Sequence, residues 1–361
     1  MWTFHICATR TGEKITQVTP TSGSFTRRMN GVGSGTHSFI AADLGAGETV
    51  NARRSSRVDL TRTWSRTLVQ CWDDKPIYAG LIVGKTTKTD GTVDISTVEF
   101  RELLKYRTTF GISGYNGKAD EQLLLKNQTL ASIAGYLIWD VMQGPTSNWQ
   151  LPLILPPRNI TGPHDRTYHE YNLPVIETEL AAIQSTLSGP DVDFEPSWAD
   201  DNTLQWTARV GDLTGNTLEW NLAVEKPALT DFTFQEDGNK QGNVFYAVGN
   251  GSDRDMLLAT SSTAIPSDEL ALERFVRYSQ EKQIDVLQRR ANENLRVYKT
   301  PTRQYSYAMQ ADGTPGLQQL RIGQTLNTYL ADNEWITDGW VENRLIGFSG
   351  DLTNTIKLQL Q

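Results

Sequence analysis

The stretch TLVQCWDDKPIYAGLIV, residues 67–83, decides the fold class of the chain. Two apolar runs, Thr67–Trp72 and Pro76–Val83, flank the turn-forming triplet Asp73-Asp74-Lys75. Short apolar runs separated by such turn residues are typical of β-strands that are joined by hairpins. The stretch therefore predicts two adjacent strands rather than helices.

The same pattern extends through residues 1–107. Thr89-Asp90-Gly91 predicts a second hairpin, because Asp-Gly favours tight turns. Val58, Leu60 and Trp64 alternate with polar neighbours and predict one face of a further strand. We expect about six to eight strands in this segment and no helix.

The middle of the chain changes to a helical period. Three helices are expected, at Leu130 to about Met142 with Thr129 as its cap, at about Pro174–Leu187, and at about Gln280–Tyr298. The last should bury an apolar stripe made of Ile284, Leu287, Ala291 and Leu295. Strands return around these helices, at Val192–Pro196, Leu204–Val210, Leu218–Val224, Gln304–Gln310, Leu320–Leu330, Val341–Phe348 and Thr355–Leu360.

These changes of period divide the chain into three expected parts. Residues 1–107 form an N-terminal β unit, and residues 108–229 form a helix-bearing insert with returning strands. Residues 230–361 form a C-terminal β unit with one long helix. The predicted fold class is mainly β with a few helices, an α+β arrangement.

The formal charge of the chain is unevenly distributed. The 361 residues carry a net charge of −8. Residues 1–107 contain 15 Lys and Arg against 10 Asp and Glu, whereas residues 108–361 contain 19 against 32, so the two balances are +5 and −13. An acidic body does not attract a nucleic-acid backbone, so specific DNA binding is not expected.

The sequence also predicts the compartment in which the protein is made. A membrane-spanning helix needs about 20 apolar residues. The apolar runs of this chain are far shorter, so no membrane insertion is expected. Residues Met1–His5 have neither a basic nor an apolar segment, so no secretory signal is expected. Two cysteines, Cys7 and Cys71, do not make a disulfide scaffold. We therefore expect synthesis in a reducing cytoplasm.

The strongest candidates for chemistry are three carboxylates. Asp191, Asp193 and Glu195 alternate along a predicted strand, so they share one face. Paired carboxylates hydrolyse glycosides when they flank a cleft with aromatic walls, for which Trp198 and Trp206 are available. The simpler interpretation, which we favour, is a solvated outer strand face.

Other motifs are expected to be structural, so no residue is assigned a catalytic, cofactor-binding or metal-ligating role. His164 and His169 lie in a Pro-rich stretch without zinc-ligand spacing and are expected at the surface. Gly31–Gly35 lacks the Lys-Ser/Thr ending of a phosphate loop and should form a flexible hairpin tip. The densest basic stretch is expected to form either a solvated strand face or a docking face for an acidic partner. Its members are Arg53, Arg54, Arg57, Arg62 and Arg66.

Several segments, taken in order, carry a resemblance. They are Ile77–Ile82, Phe100–Leu104 with Arg107, Leu204–Asp212, Thr230–Gly249, Leu320–Gly323 and Asn343–Gly347. Separated by the predicted helices, they resemble the tail-tip (baseplate) hub proteins of long-tailed bacteriophages, also called minor tail proteins.

The resemblance implies an assembly and a role. It implies two β-barrel-like, tube-forming units that pack around a three-fold axis, so that a homotrimer forms a pseudo-six-fold ring. It also implies a siphovirus-type virion protein with no enzymatic activity and no cofactor, whose central channel passes DNA without binding it specifically. The implied partners are the distal tail protein, the tape-measure protein and the tail fibre or spike proteins.

Two other functions stay open at this stage. The Asp191–Glu195 strand would suit a tail-associated cell-wall glycosidase. The ten tryptophans would suit a glycan-binding receptor module. However, Trp64, Trp72 and Trp206 lie within apolar strand patterns, which favours packing over binding.

Overall fold

The computed structural model describes residues 1–109, 122–144, 146–186, 188–225, 227–279 and 281–361. The chain is divided into two compact units. Residues 1–231 and 307–360 form the larger unit, and residues 232–306 form the smaller unit. The three-part division expected from the sequence stays a prediction.

Strands dominate residues 1–107, as the sequence predicts. They are β1 (Trp2–Ala8), β2 (Lys14–Val18), β3 (Ser22–Arg28), β4 (Ser34–Ile40), β5 (Arg66–Trp72), β6 (Lys75–Thr87) and β7 (Thr92–Glu99). The stretch 67–83 forms the antiparallel pair β5–β6, with Trp72 opposite Lys75. Asp73 and Asp74 have φ angles of 44° and 65°, the left-handed conformation that a tight two-residue hairpin turn requires.

The remaining elements confirm a mainly β chain with a few helices. The helices are α1 (Val50–Leu60), α2 (Leu130–Asp140), α3 (Ile176–Gln184) and α4 (Ile284–Tyr298), with 3-10 turns at Phe100–Tyr106, Glu170–Asn172, Asp253–Asp255 and Leu317–Gln319. The strands are β8 (Gln122–Gln128), β9 (Leu153–Ile154), β10 (His164–His169), β11 (Asp191–Asp200), β12 (Thr203–Gly211), β13 (Leu218–Asn221), β14 (Leu229–Asp237), β15 (Val244–Val248), β16 (Leu258–Ser262), β17 (Glu273–Arg277), β18 (Thr302–Gln310), β19 (Thr325–Leu330), β20 (Gly339–Asp351) and β21 (Thr355–Leu360).

The main sheet of the larger unit joins both ends of the chain. Its strand order includes β21-β20-β3-β4-β7-β6-β5-β1-β2. Strand β20 pairs antiparallel with β3, so C-terminal strands complete the N-terminal sheet. Strand β2 ends this order, and within the described ranges the sheet is open rather than closed into a barrel.

One prediction for the N-terminal segment is wrong, because residues 50–60 form helix α1 rather than part of a strand. The Thr49 hydroxyl accepts a hydrogen bond from the Ala52 amide at 3.1 Å and caps the helix. Leu60 is buried, whereas Val58 is 54% exposed. Residues two apart point to different sides of a helix, so only Leu60 of this pair is covered. The neighbouring arginines have good helix propensity and favour the helical state.

The insert helices confirm the helical period. Helix α2 buries Leu130, Ile133 and Leu137, and helix α3 buries Ile176 and Leu180. These side chains share one core with Phe100, Trp206 and strand residues of β5 and β6. Helix α3 starts two residues after Pro174. Its C-terminal end is expected near Leu187, which lies outside the described residues.

Removing the cap of helix α2 is expected to destabilise the larger unit. The Thr129 hydroxyl accepts a hydrogen bond from the Ser132 amide at 3.1 Å. Thr129→Ala should therefore lower the free energy of unfolding by about 1 kcal/mol, measured by urea denaturation. Thr178→Ala, at an exposed position inside α3, is the matched control and should be neutral or slightly stabilising. Equal losses in the two variants would contradict the capping role.

The smaller unit contains the three-stranded sheet β16-β15-β17 and helix α4. Leu287 and Ala291 of α4 pack against Ala247 and Ala259 of the sheet. Ile284, expected to be buried, is 51% exposed because it occupies the first, solvent-facing position of the helix. None of the helices that the structure describes is long and apolar enough to cross a membrane.

Candidate functional site: an arginine–carboxylate network

The acidic strand exists as predicted, but its carboxylates are not solvated. Strand β11 buries Asp193 to 4% exposure and leaves Asp191 and Glu195 half-buried. Each of the three carboxylates forms an ion pair with an arginine. The expectation of a solvated outer face is therefore wrong.

Arg27 on strand β3 is the centre of this network. Its Nη2 donates to Asp193 Oδ1 at 2.8 Å, and its Nε donates to Glu99 Oε1 at 3.1 Å. The remaining hydrogen bonds of the guanidinium go to the carbonyl oxygens of Ile77 and Phe194, at 3.4 and 3.3 Å. One buried cation thus connects strands β3, β7 and β11, and it lies 166 positions from Asp193 in the sequence.

The network continues outward through two further arginines. Arg209 Nη1 lies 3.4 Å from Asp193 Oδ2, and Arg209 Nε lies 3.8 Å from Glu195 Oε2. Arg321 Nη2 lies 2.6 Å from the same Glu195 oxygen. The network therefore contains equal numbers of cations and carboxylates. The cations are Arg27, Arg209 and Arg321, and the carboxylates are Glu99, Asp193 and Glu195.

The glycine-rich segment belongs to the network and is not a free hairpin tip. The Gly33 amide donates to Glu99 Oε2 at 2.7 Å. Asn30 Nδ2 donates to Asp191 Oδ1 at 2.6 Å, and Asn30 Oδ1 accepts from the Val192 amide at 2.8 Å. This segment therefore fixes the strand that carries the carboxylates, which corrects the expected flexibility.

Asp191 connects the C-terminal strands to the same region. Arg344 of β20 places Nη2 at 2.5 Å from Asp191 Oδ2 and donates to the Leu213 carbonyl oxygen at 3.0 Å. Segments from the beginning, middle and end of the larger unit therefore meet at one row of carboxylates. Such a set of paired charges fixes the relative positions of these segments, since any displacement would leave a charge unpaired.

The electrostatics of the centre follow from burial and pairing. Burial alone would lower the pKa of Arg27, but the carboxylates of Asp193 and Glu99 hold it above its ordinary value. Burial raises the pKa of Glu99 to about 7, against the opposing effect of Arg27. Glu99 is therefore the member of the network that titrates near neutral pH.

The raised pKa of Glu99 predicts a specific pH dependence. Between its ordinary pKa and about 7, the folded state binds this proton more tightly than the unfolded state. The free energy of unfolding should therefore fall as the pH rises through this range. Glu99→Gln removes the titration, so urea denaturation between about pH 5 and about pH 7 should show a smaller loss for this variant than for the wild type. Parallel losses would contradict the assignment.

The arrangement does not support the glycosidase alternative. A glycosidase needs two carboxylates beside a cleft that admits a sugar. Asp193 is instead held between two arginines. Trp206 is 1% exposed and packs on Phe100 at 5.2 Å between ring centroids, and the Trp198 indole donates to the Asp74 carbonyl oxygen at 2.8 Å. These tryptophans are packing residues rather than cleft walls.

The other candidate residues are structural in the described part of the chain. His164 and His169 lie half-buried on β10, an ordered strand paired with β8. No group of three potential metal ligands occurs among the described residues. The basic stretch is divided between helix α1, the loop after it and the start of β5, where Arg66 forms two hydrogen bonds of 2.7 Å to Asp59.

The partners of the acidic strand could not be identified from the sequence. The alternation of Asp191, Asp193 and Glu195 correctly indicates a shared face. However, Arg27 and Arg321 lie far from this strand along the chain, and only the sheet topology brings them together. Arg27 itself lies in a strand, Ser22–Arg28, that the sequence pattern did not locate, so its burial could not be anticipated either.

The fold of the chain is similar to that of solved phage tail proteins. No family model matches the sequence, and no curated protein is detectably similar to it. The likeness appears in the structure instead, over nearly the full length of the chain and of the proteins compared. The resemblance to tail and baseplate proteins is thereby confirmed at the level of the fold.

Three solved structures illustrate this likeness in fold. The tail protein from Neisseria meningitidis MC58 has a TM-score of 0.57 at 13% identity, and the comparison covers 99% of this chain and 96% of that one. The 43 kDa tail protein of prophage MuSo2 from Shewanella oneidensis has a TM-score of 0.61 at 10% identity, with 100% and 97% covered. An E. coli component of the type VI secretion system, described as similar to the T4 tail proteins gp27 and gp5, has a TM-score of 0.50 at 8% identity, with 95% and 73% covered.

Proposed function

We propose that the chain is the hub of a phage tail tip. In this role it is a structural virion protein that joins the tail tube and distal tail ring to the fibre or spike and to the tape-measure end. The observation that carries the proposal is the likeness to tail proteins over the whole chain rather than over one domain. The chain would be made in the host cytoplasm and would reside at the tail tip.

The proposed assembly is a homotrimeric ring with a central channel. Residues 1–107 and residues 230–361 would supply its two tube-forming units, and residues 108–229 would form the insert. The open main sheet supports this proposal, because exposed strand edges such as β2 are normally covered in a stable assembly. The formal net charge of −13 in residues 108–361 favours a channel wall that passes DNA without binding it.

The proposed role requires no catalysis, and the carboxylate network fits that requirement. A tail tip must transmit force between the tube and the fibre without losing its shape. The paired charges around Arg27 join strands from three parts of the sequence into one rigid body. We therefore propose that the most polar buried site of the larger unit serves the mechanical integrity of the hub.

The solution mass of the purified full-length chain tests the assembly. Light scattering should give three times the chain mass of 40.4 kDa, and electron micrographs of the same sample should show three-fold rings with a central hole. A chain that stays monomeric at every accessible concentration would contradict a self-assembling ring. Saturable binding to glycans without rings would favour the receptor-module alternative.

A further inference from the structure

A cavity of about 760 Å³ lies in the larger unit, away from the carboxylate network. Its wall includes Trp64 and Tyr106, whose rings meet edge to face at 5.0 Å between centroids. Tyr106 is 68% exposed. Trp64 has a φ of 58°, an unusual conformation for a bulky residue, and it is 37% exposed. The volume is typical of ligand sites and large enough for an indole ring.

The cavity is rich in arginine and poor in carboxylate. Among the residues that the structure describes, Arg107 donates hydrogen bonds to neutral acceptors: the carbonyl oxygens of Val141 and Trp149, at 2.6 and 2.8 Å, and the Met142 sulfur, at 3.5 Å. Burial lowers the pKa of Arg107 to about 10. Within the described ranges, the Arg10 side chain has no hydrogen bond or ion pair.

The remaining charges do not balance these cations. Arg62 reaches its nearest carboxylate, Asp59, only at 4.0 Å, and that carboxylate already binds Arg66. Of the described residues that line the cavity, Glu13 alone is acidic. The cavity therefore offers an aromatic wall and a positive rim to an occupant that carries an aromatic group and negative charge.

The loop between β19 and β20 carries both an exposed aromatic group and negative charge. Trp335 lies at its tip and is 85% exposed, and tryptophan is among the residues that most often anchor protein interfaces. Asn333 Oδ1 accepts hydrogen bonds from the amides of Trp335 and Ile336 at 2.9 and 3.0 Å, so the tip is ordered while it projects. Asp332 and Glu334 are exposed, and no ion pair involves them in the part of the chain that the structure describes.

We propose that the Trp335 tip of one copy of this chain docks into the arginine-lined cavity of a neighbouring copy. The indole would pack on Trp64 and Tyr106, and the Glu334 carboxylate would pair with the cations of the rim. This contact joins two different surfaces, which is the head-to-tail arrangement that closes into rings. The inference rests on the proposed ring assembly and deepens it, since each site is completed by a residue of the next copy.

Disulfide trapping in a mixture of two variants tests the contact directly. One variant carries Glu334→Cys at the tip, and the other carries Thr11→Cys in the cavity wall. The two native cysteines are buried and free, so they contribute little background. Under mild oxidation by a copper–phenanthroline complex, we expect a crosslinked pair that requires both variants and is lost when Trp335→Ala is added. Absence of this crosslink, or its persistence with Trp335→Ala, would overturn the proposal.

Association measured by light scattering separates this inference from the ring itself. Trp335→Ala should weaken self-association about 30-fold, the size expected for a hot-spot tryptophan. Arg10→Glu with Arg62→Glu should weaken it at least tenfold, and Asp332→Lys with Glu334→Lys in the same chain should restore it. Glu225→Lys, at an exposed position elsewhere, is the control and should change nothing. A trimer that survives all of these changes overturns the contact but leaves the ring, whereas a wild type that does not self-associate contradicts both the contact and the self-assembling ring.

Discussion

Replacing Asp193 with asparagine is expected to lower the free energy of unfolding by about 3–5 kcal/mol. Asparagine has the same shape, so the variant removes the negative charge and leaves the packing unchanged. Arg27 would then keep only Glu99 as a counter-charge, and Arg209 would lose its closest carboxylate. Urea denaturation of the two proteins at neutral pH measures the difference.

Asp94→Asn is the matched control for this variant. Asp94 also pairs with a cation, with Lys88 Nζ at 2.7 Å, but this pair lies at the surface, where water replaces the lost contact. We expect a much smaller loss of stability from Asp94→Asn than from Asp193→Asn. Similar losses would mean that the buried network does not hold the larger unit together.

Gly33→Ala is expected to be the second most destabilising change, at about 3 kcal/mol. A Cβ atom at this position would lie 2.0 Å from the Thr26 carbonyl oxygen and 2.4 Å from Glu99 Oε2. Either the strand or the carboxylate must move, and the hydrogen bond from the Gly33 amide to Glu99 weakens as a result. The expected loss combines overpacking with a weakened charge-assisted hydrogen bond.

Gly31→Ala is the control in the same segment. A Cβ atom there would meet its nearest neighbour, the Arg28 Cβ, at an ordinary 3.6 Å. We expect the stability of this variant to stay close to that of the wild type, measured by the same urea titration. A flexible tip, as the glycine content alone suggests, would instead tolerate alanine at both positions equally.

Local sequence signals predicted most of the secondary structure. The turn at Asp73-Asp74 and the cap at Thr129 are decided by neighbouring residues, so their elements could be read directly. Helix α1 was missed because Val58 and Leu60 have the two-residue spacing of a strand, whereas the helix buries only Leu60. A short apolar pattern does not distinguish these two states without knowledge of what covers it.

The functional geometry could not be predicted in the same way. The sequence identified the face shared by Asp191, Asp193 and Glu195 but not what lies opposite to it. Whether such a face is solvated, catalytic or paired depends on side chains that the sheet brings from distant segments. The cavity beside Trp64 and the ordered tip at Trp335 likewise require the folded chain.

The position of the chain in assembled particles tests the central claim most directly. A short affinity tag on the chain, labelled with gold and imaged by electron microscopy on tails from the host that carries this sequence, reports that position. We expect one cluster of label at the tip of each tail. Tails without label, or label distributed along the tube, would contradict the assignment of the chain as a tail-tip hub.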